Sequence, residues 1–228
     1  MGFADDSLLD KFLRDGRLPG PQFLAKMARV AVEAATAPLY LRACTSVGPL
    51  VRTQGRPIIE NSGRIDLATR VYIISSPVAA SLRTGKHGLI EMRRGSIAGY
   101  GSVIYAEDRV TVGEGVGVGP FSVVSDSEGP GEPPRPIEIG AGVWIGAHVT
   151  VLPGARIGKD AVIGAGSVVE GDIPDGAIAA GIPARVKRQR RPRPNTEPSQ
   201  PPRRESSERA RAAPMGERRG QAEGQVGT

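Results

Sequence analysis

Aromatic residues are scarce in this 228-residue chain: one Trp, four Tyr and four Phe, 4% in all. Large rings carry much of the buried area in ordinary domains, so this core must be filled by aliphatic residues instead. A single cysteine, Cys44, excludes a disulfide framework and makes a reducing compartment the expectation. Only two histidines are present, His87 and His148, too few for a three-histidine zinc centre, and no metal is expected. No uninterrupted apolar run is long enough to span a bilayer. The most apolar stretch, 23–41, is broken by Lys26, Arg29, Glu33 and Pro38. Asp5, Asp6 and Asp10 stand where a secretory leader carries basic residues, so a cytoplasmic location is expected.

The formal charge of +6 is unevenly spread. Residues 187–228 hold 11 Lys/Arg against 5 Asp/Glu, whereas 1–186 hold 19 of each. The excess therefore belongs to a Pro- and Arg-rich tail whose composition predicts disorder. The tail lacks aromatics and interleaves acids with its bases, so no specific nucleic-acid binding is expected of it.

What the chain does have is a repeat. An aliphatic residue returns at every sixth position: Ile139, Ile145, Val151, Ile157, Ile163, Val169. Glycine follows it at 140, 146, 158 and 164, and small or branched residues sit four positions on, at Val143, Val149, Ala155, Ala161, Ser167 and Ile173. A period of six fits neither a helix nor an alternating strand. It fits an all-β solenoid, a parallel β-helix in which each hexapeptide is one short strand plus one corner. One coil cannot bury its own face, so coils must stack.

Around that repeat the organisation is as follows. Residues 1–46 form an N-terminal helical segment, with helices predicted over 5–15 and 22–43. The second would cap the solenoid, and amphipathic contact with a membrane surface or a partner is its sharper alternative. The β-helix domain spans 47–186, with irregular early coils at Ile65–Leu67 and Val71–Ile73 and a polar loop over 75–88. Residues 125–138, rich in proline, glycine and acids, cannot continue a coil and predict an extruded loop. The tail occupies 187–228.

The string IEIGAGVWIGAHVTVLPGARIGKDAVIGAGSVVEGDIP, followed by AAGIPARV, resembles the hexapeptide-repeat acyltransferases, most closely the sugar and polysaccharide O-acetyltransferases of the galactoside and maltose type. The resemblance is strong over 89–186. It implies a left-handed β-helix, a homotrimer with active sites between neighbouring subunits, and transfer of acetyl from acetyl-CoA to a hydroxyl of a sugar or polysaccharide precursor. It implies that Trp144 flanks the acceptor or pantetheine channel, that the turns at Ala147 and Ala165 line it, and that Arg185 meets a CoA phosphate, as a guanidinium can bidentately.

The resemblance also implies a catalytic histidine in the extruded loop, because an imidazole titrates near neutrality. This loop has none; Gly129 or Pro130 falls at the matching place. Asparagine and lysine positions of the family are glycines as well, at Gly99 or Gly101 and at Gly171. The remaining proton acceptors are His148 and the loop carboxylates Asp126, Glu128 and Glu132. An ordinary carboxylate, with a pKa of about 4, is a poor base for a hydroxyl. The alternative function is a catalytically inactive trimeric scaffold or CoA-binding subunit.

Overall fold

A computed structural model describes residues 21–129 and 131–189. The helix expected over 5–15 and the tail beyond Gln189 lie outside the described residues. The described chain is one helix, α1 (Pro21–Tyr40), followed by a parallel β-solenoid of short strands arranged in three sheets. Consecutive strands enter successive sheets, here called faces A, B and C, so that each coil contributes one strand to each face.

The six-residue period translates directly into this geometry. Ile139, Ile145 and Val151 point inward from faces A, B and C; Ile157, Ile163 and Val169 repeat the assignment one coil later. On face A the inward column runs Leu67, Met92, Val112, Ile139, Ile157, Ile173 in register. The columns on faces B and C are likewise aliphatic and buried from the second coil onward, after Thr53 and the partly buried Ile59 of the first. Each buried Val, Leu or Ile contributes roughly 1.5–3 kcal/mol by leaving water. The small residues Val143, Val149, Ala155, Ala161 and Ser167 are buried at the corners, where there is room for little else.

Coil length is not uniform. Trp144 pairs with Val162, 18 residues on, but Ile97 pairs with Gly117 after 20 and Gly117 with Trp144 after 27. The 27-residue coil contains the loop expected at 125–138, between strands Val123–Ser125 and Ile137–Ile139. Arg135 N–H donates to the Asp126 carbonyl at 2.8 Å and closes its base, so the extrusion begins only after Asp126.

The polar stretch 75–88 proves to be more than a loop. It contains a strand, Ser81–Thr84, with Ser81, Leu82 and Thr84 buried. One aliphatic, Leu82, continues the inward column of face C. The Thr84 hydroxyl accepts from Ser62 and Gly63 N–H and donates to the Asn61 side chain at 2.9 Å. A side-chain hydroxyl that satisfies corner amides replaces the missing apolar residue, and periodicity alone does not reveal that.

The two ends of the stack are closed differently. At the start, α1 lies against strand Arg52–Gln54 and lends Ala37 and Leu41 to the core. Glu33 turns inward from α1 toward Arg29 and Arg52, while the Arg52 guanidinium lies 4.7 Å over the Tyr72 ring. At the far end, strand Arg185–Gln189 turns back antiparallel on Ala177–Ala180, ending the parallel ladder. Among the described residues no helix is long and apolar enough to cross a membrane.

Candidate functional site

Two corners hold the residues singled out from sequence. The corner between faces C and A carries the loop. Here Asp126 is fully buried, and its carboxylate accepts three backbone N–H groups, from Glu107 at 2.7 Å, Asp108 at 2.9 Å and Arg109 at 2.7 Å. This corrects its candidacy as a base: no substrate oxygen reaches it, and its lone pairs are spent anchoring the preceding coil. Glu128 is exposed but paired with Arg135 at 2.6 Å. Beside them the Tyr105 hydroxyl donates to Glu107. That bond, followed by burial, pushes the phenol up to about 12, because ionising it would place two negative charges together.

The corner between faces B and C is built otherwise. Gly101, Phe121, His148 and Gly166 occupy it in successive coils, all with left-handed backbone, φ from 55° to 70°. That conformation is uncommon for Phe and His. Each N–H donates to the carbonyl one coil back, including Phe121 to Tyr100 and His148 to Pro120. Stacked coils lie about 4.8 Å apart, so side chains at this position stack. The Phe121 and His148 rings are parallel, 5.1 Å apart, and Tyr100 meets Phe121 edge-on at 5.3 Å. His148 is exposed and has no side-chain hydrogen bond among the described residues.

A Cβ on Gly101 would fall 2.6 Å from the Phe121 ring, so the aromatic fills the space a side chain at 101 would need. The aromatics were not among the residues singled out from sequence. Tyr100, Phe121 and His148 lie 21 and 27 residues apart, and no fixed spacing announces that their rings meet.

Ala147 and Ala165 sit at this same corner in consecutive coils, and Gly166 N–H bonds the Ala147 carbonyl. Trp144 lies on the outer side of face B, four residues before His148 in the same coil, and remains 42% exposed. Its ring rests against Gly117, where a Cβ would be 2.7 Å from Cε3. Ala147, Ala165 and His148 thus share one corner, and Trp144 stands on face B three residues before Ala147. Arg185 is apart from them in sequence order of coils, exposed on the terminal antiparallel strand. No group of three or more His, Cys, Asp or Glu is gathered for a metal among the described residues.

Residues 136–171 match the bacterial transferase hexapeptide family, six repeats. The galactoside O-acetyltransferase of Escherichia coli K12 is 40% identical over 109 residues, covering 44% of this chain and 54% of the relative. The galactoside O-acetyltransferase of Lactococcus lactis is 41% identical over 106 residues, 39% of this chain and 51% of that one. The chain thus spans about half the length of the curated relatives it matches. Among solved structures, a mutant of the N-acyltransferase AntD from Bacillus cereus, in complex with dTDP-4-amino-4,6-dideoxyglucose and coenzyme A, superposes with a TM-score of 0.56. It is 22% identical over 68% of this chain and 88% of that one, which makes the fold common to both.

Proposed function

We propose that this protein is an acyl-CoA-dependent O-acyltransferase that moves acetyl from acetyl-CoA to a hydroxyl of a sugar or polysaccharide precursor. The observation that carries the reading is the corner that Ala147 and Ala165 share, with Trp144 three residues before Ala147 on face B, on hexapeptide coils similar to those of galactoside O-acetyltransferases. Ala147 and Ala165 offer small side chains and corner backbone to a pantetheine arm, Trp144 walls it, and Arg185 takes a phosphate of CoA. The mutants of AntD were crystallised with coenzyme A on the same kind of solenoid.

In this reaction the acceptor oxygen attacks the thioester carbonyl carbon, the C–S bond breaks, and the hydroxyl proton must leave. Of the four acceptors weighed from sequence, Asp126 is buried and bonded, Glu128 is tied to Arg135, and Glu132 is an exposed loop carboxylate, a weaker class of base than imidazole. His148 has an exposed, unpaired imidazole one residue from Ala147. His148 therefore takes the hydroxyl proton and returns it to the departing CoA sulfur. Binding the reactants side by side supplies the rest, since oriented reactants gain several kcal/mol over free ones, about 7–11 at best.

The protein works as a homotrimer in this reading, with each site between neighbours. The outer columns support it: face A presents Asp66, Glu91, Glu138, Arg156 and Asp172, whereas face B presents Tyr72, Ile97, Trp144, Val162 and Ile178. An apolar outer face suits contact with another copy. Sedimentation velocity at micromolar concentration tests the assembly, and a monomer overturns it.

The decisive experiment follows thiol release from acetyl-CoA with a panel of glycosides, alongside calorimetric titration with CoA. Release that depends on a glycoside supports the transferase. CoA binding with no turnover on any acceptor favours the second reading, an inactive CoA-binding scaffold, for which the loop without a histidine speaks. No CoA binding at all leaves a scaffold alone.

A further inference from the structure

We infer that the starting end of the solenoid, α1 with the first coil, is a docking surface for an anionic lipid bilayer. The inference does not depend on acyl transfer.

Two independent properties meet at this end. The first is exposed apolar surface. Six of the twelve exposed large hydrophobic residues among those described fall between 27 and 58: Met27, Val32, Leu39, Val47, Leu50 and Ile58. On α1 they are not scattered. The helix buries Glu33, Ala37 and the adjoining Leu41 on one side. Its outer side shows Ala28, Ala31, Val32, Ala35, Pro38 and Leu39, an uncharged stripe at helical spacing. Val32 and Leu39 are 60% and 63% exposed, which ordinary packing against the coil would not leave. Val47, Leu50 and Ile58 belong to the first coil, the edge of the stack that α1 covers.

The second property is charge. Residues 21–56 hold five Lys/Arg and one Asp/Glu. That one acid, Glu33, faces inward onto Arg52 and Tyr72. Among the described side chains of 21–61 the surface presents Arg29, Arg42 and Arg56, all exposed, against one exposed acid, Glu60, which lies 3.3 Å from Arg83. Residues 57–186 hold 11 Lys/Arg against 14 Asp/Glu, so the rest of the solenoid is acidic. Including residues 1–20 leaves 1–56 with eight against five, still basic.

An uncharged apolar stripe edged by arginines, on a body of opposite sign, is complementary to negatively charged headgroups over a hydrocarbon interior. Arginine stems lie along the apolar surface while their heads reach the phosphates. A second copy of the chain would meet like charge at this end, arginine against arginine, and so fits it less well.

The test uses the full chain and sedimentation with vesicles, phosphatidylcholine alone against phosphatidylcholine mixed with phosphatidylglycerol. Binding to the mixed vesicles that weakens with salt is expected. Val32→Asp with Leu39→Asp should weaken it about tenfold, and Val32→Trp should strengthen it, its new indole shifting to the blue on binding. Thermal melting of each variant checks that the fold persists. No binding by the unaltered chain overturns the inference. Binding that ignores both aspartates assigns it to another basic segment and overturns it too. A change in sedimentation coefficient caused by the aspartates without vesicles gives the surface to a second copy, again overturning it.

Discussion

The loop corner and the ring corner of this solenoid differ in what their polar groups are free to do. At the loop corner three carboxylates are engaged: Asp126 holds three backbone amides, Glu128 holds Arg135, and Glu107 holds Tyr105. At the ring corner the rings stack on one another, and the His148 imidazole is exposed with no side-chain hydrogen bond among the described residues. The resemblance expects a base in the loop; the proposed reaction takes it from the neighbouring corner instead. A carboxylate that is buried and saturated serves stability, and an exposed ring that is held only by stacking can serve a reaction.

The sharpest way to break this contrast is a pair of substitutions. His148→Asn keeps a residue that tolerates φ near 57° and removes the imidazole. It should lower kcat about 10²–10⁴-fold, the usual worth of a positioned base. Glu128→Gln should leave kcat nearly unchanged. The reverse pattern, measured by thiol release under saturating acetyl-CoA, would return the chemistry to the loop. A second substitution tests the structural half. Asp126→Asn replaces an acceptor pair with an amide whose NH₂ confronts backbone donors. It should cost about 2–4 kcal/mol of unfolding free energy, read from denaturant midpoints, with per-molecule activity retained at low temperature. Lost activity in folded protein would mean that Asp126 does more than anchor.

Much of this was legible in advance because the repeat is a physical ruler. Ile139, Ile145 and Val151 had to face one interior from three sides, and the loop at 125–138 had to leave the stack. The strand at Ser81–Thr84 was hidden because its inward positions are filled by one leucine and a hydroxyl that caps amides from the preceding coil. Asp126 read as a loop acid because its three partners lie 17–19 residues upstream, a distance set by how coils stack and not by local sequence. The ring ladder was hidden for the same reason: coils of 20 and 27 residues bring Tyr100, Phe121 and His148 together, and an irregular spacing carries no periodic signal.

A smaller effect probes the loop corner by titration. Glu107→Gln removes the charge beside Tyr105, so its phenol should fall from about 12 toward the ordinary value of about 10. The phenolate absorbance of the variant should therefore rise at lower pH than in the unaltered chain. In the sign of linkage, a phenol raised in the folded state favours folding only below its unfolded pKa, and that contribution disappears as the pH climbs through about 12. An unshifted titration would show that Glu107 does not hold the proton.

The smallest effect tests whether the ring corner extends to the wall beside it. Trp144 is the chain's single tryptophan, so its emission reports one place. If it flanks the acyl donor, CoA should quench or shift that emission, and Trp144→Ala should raise the KM for acetyl-CoA about tenfold, the worth of roughly 1.4 kcal/mol of lost contact. Gly117→Ala gives an independent handle. Its new Cβ would press on the indole at 2.7 Å and must displace it, since the ring can swing outward and the backbone cannot. The alanine variant should therefore alter both emission and KM by displacing the indole while leaving it in the chain. Changes in emission with an unmoved KM would confine Trp144 to packing on face B, and would limit the working edge to the corner that Ala147 and His148 share.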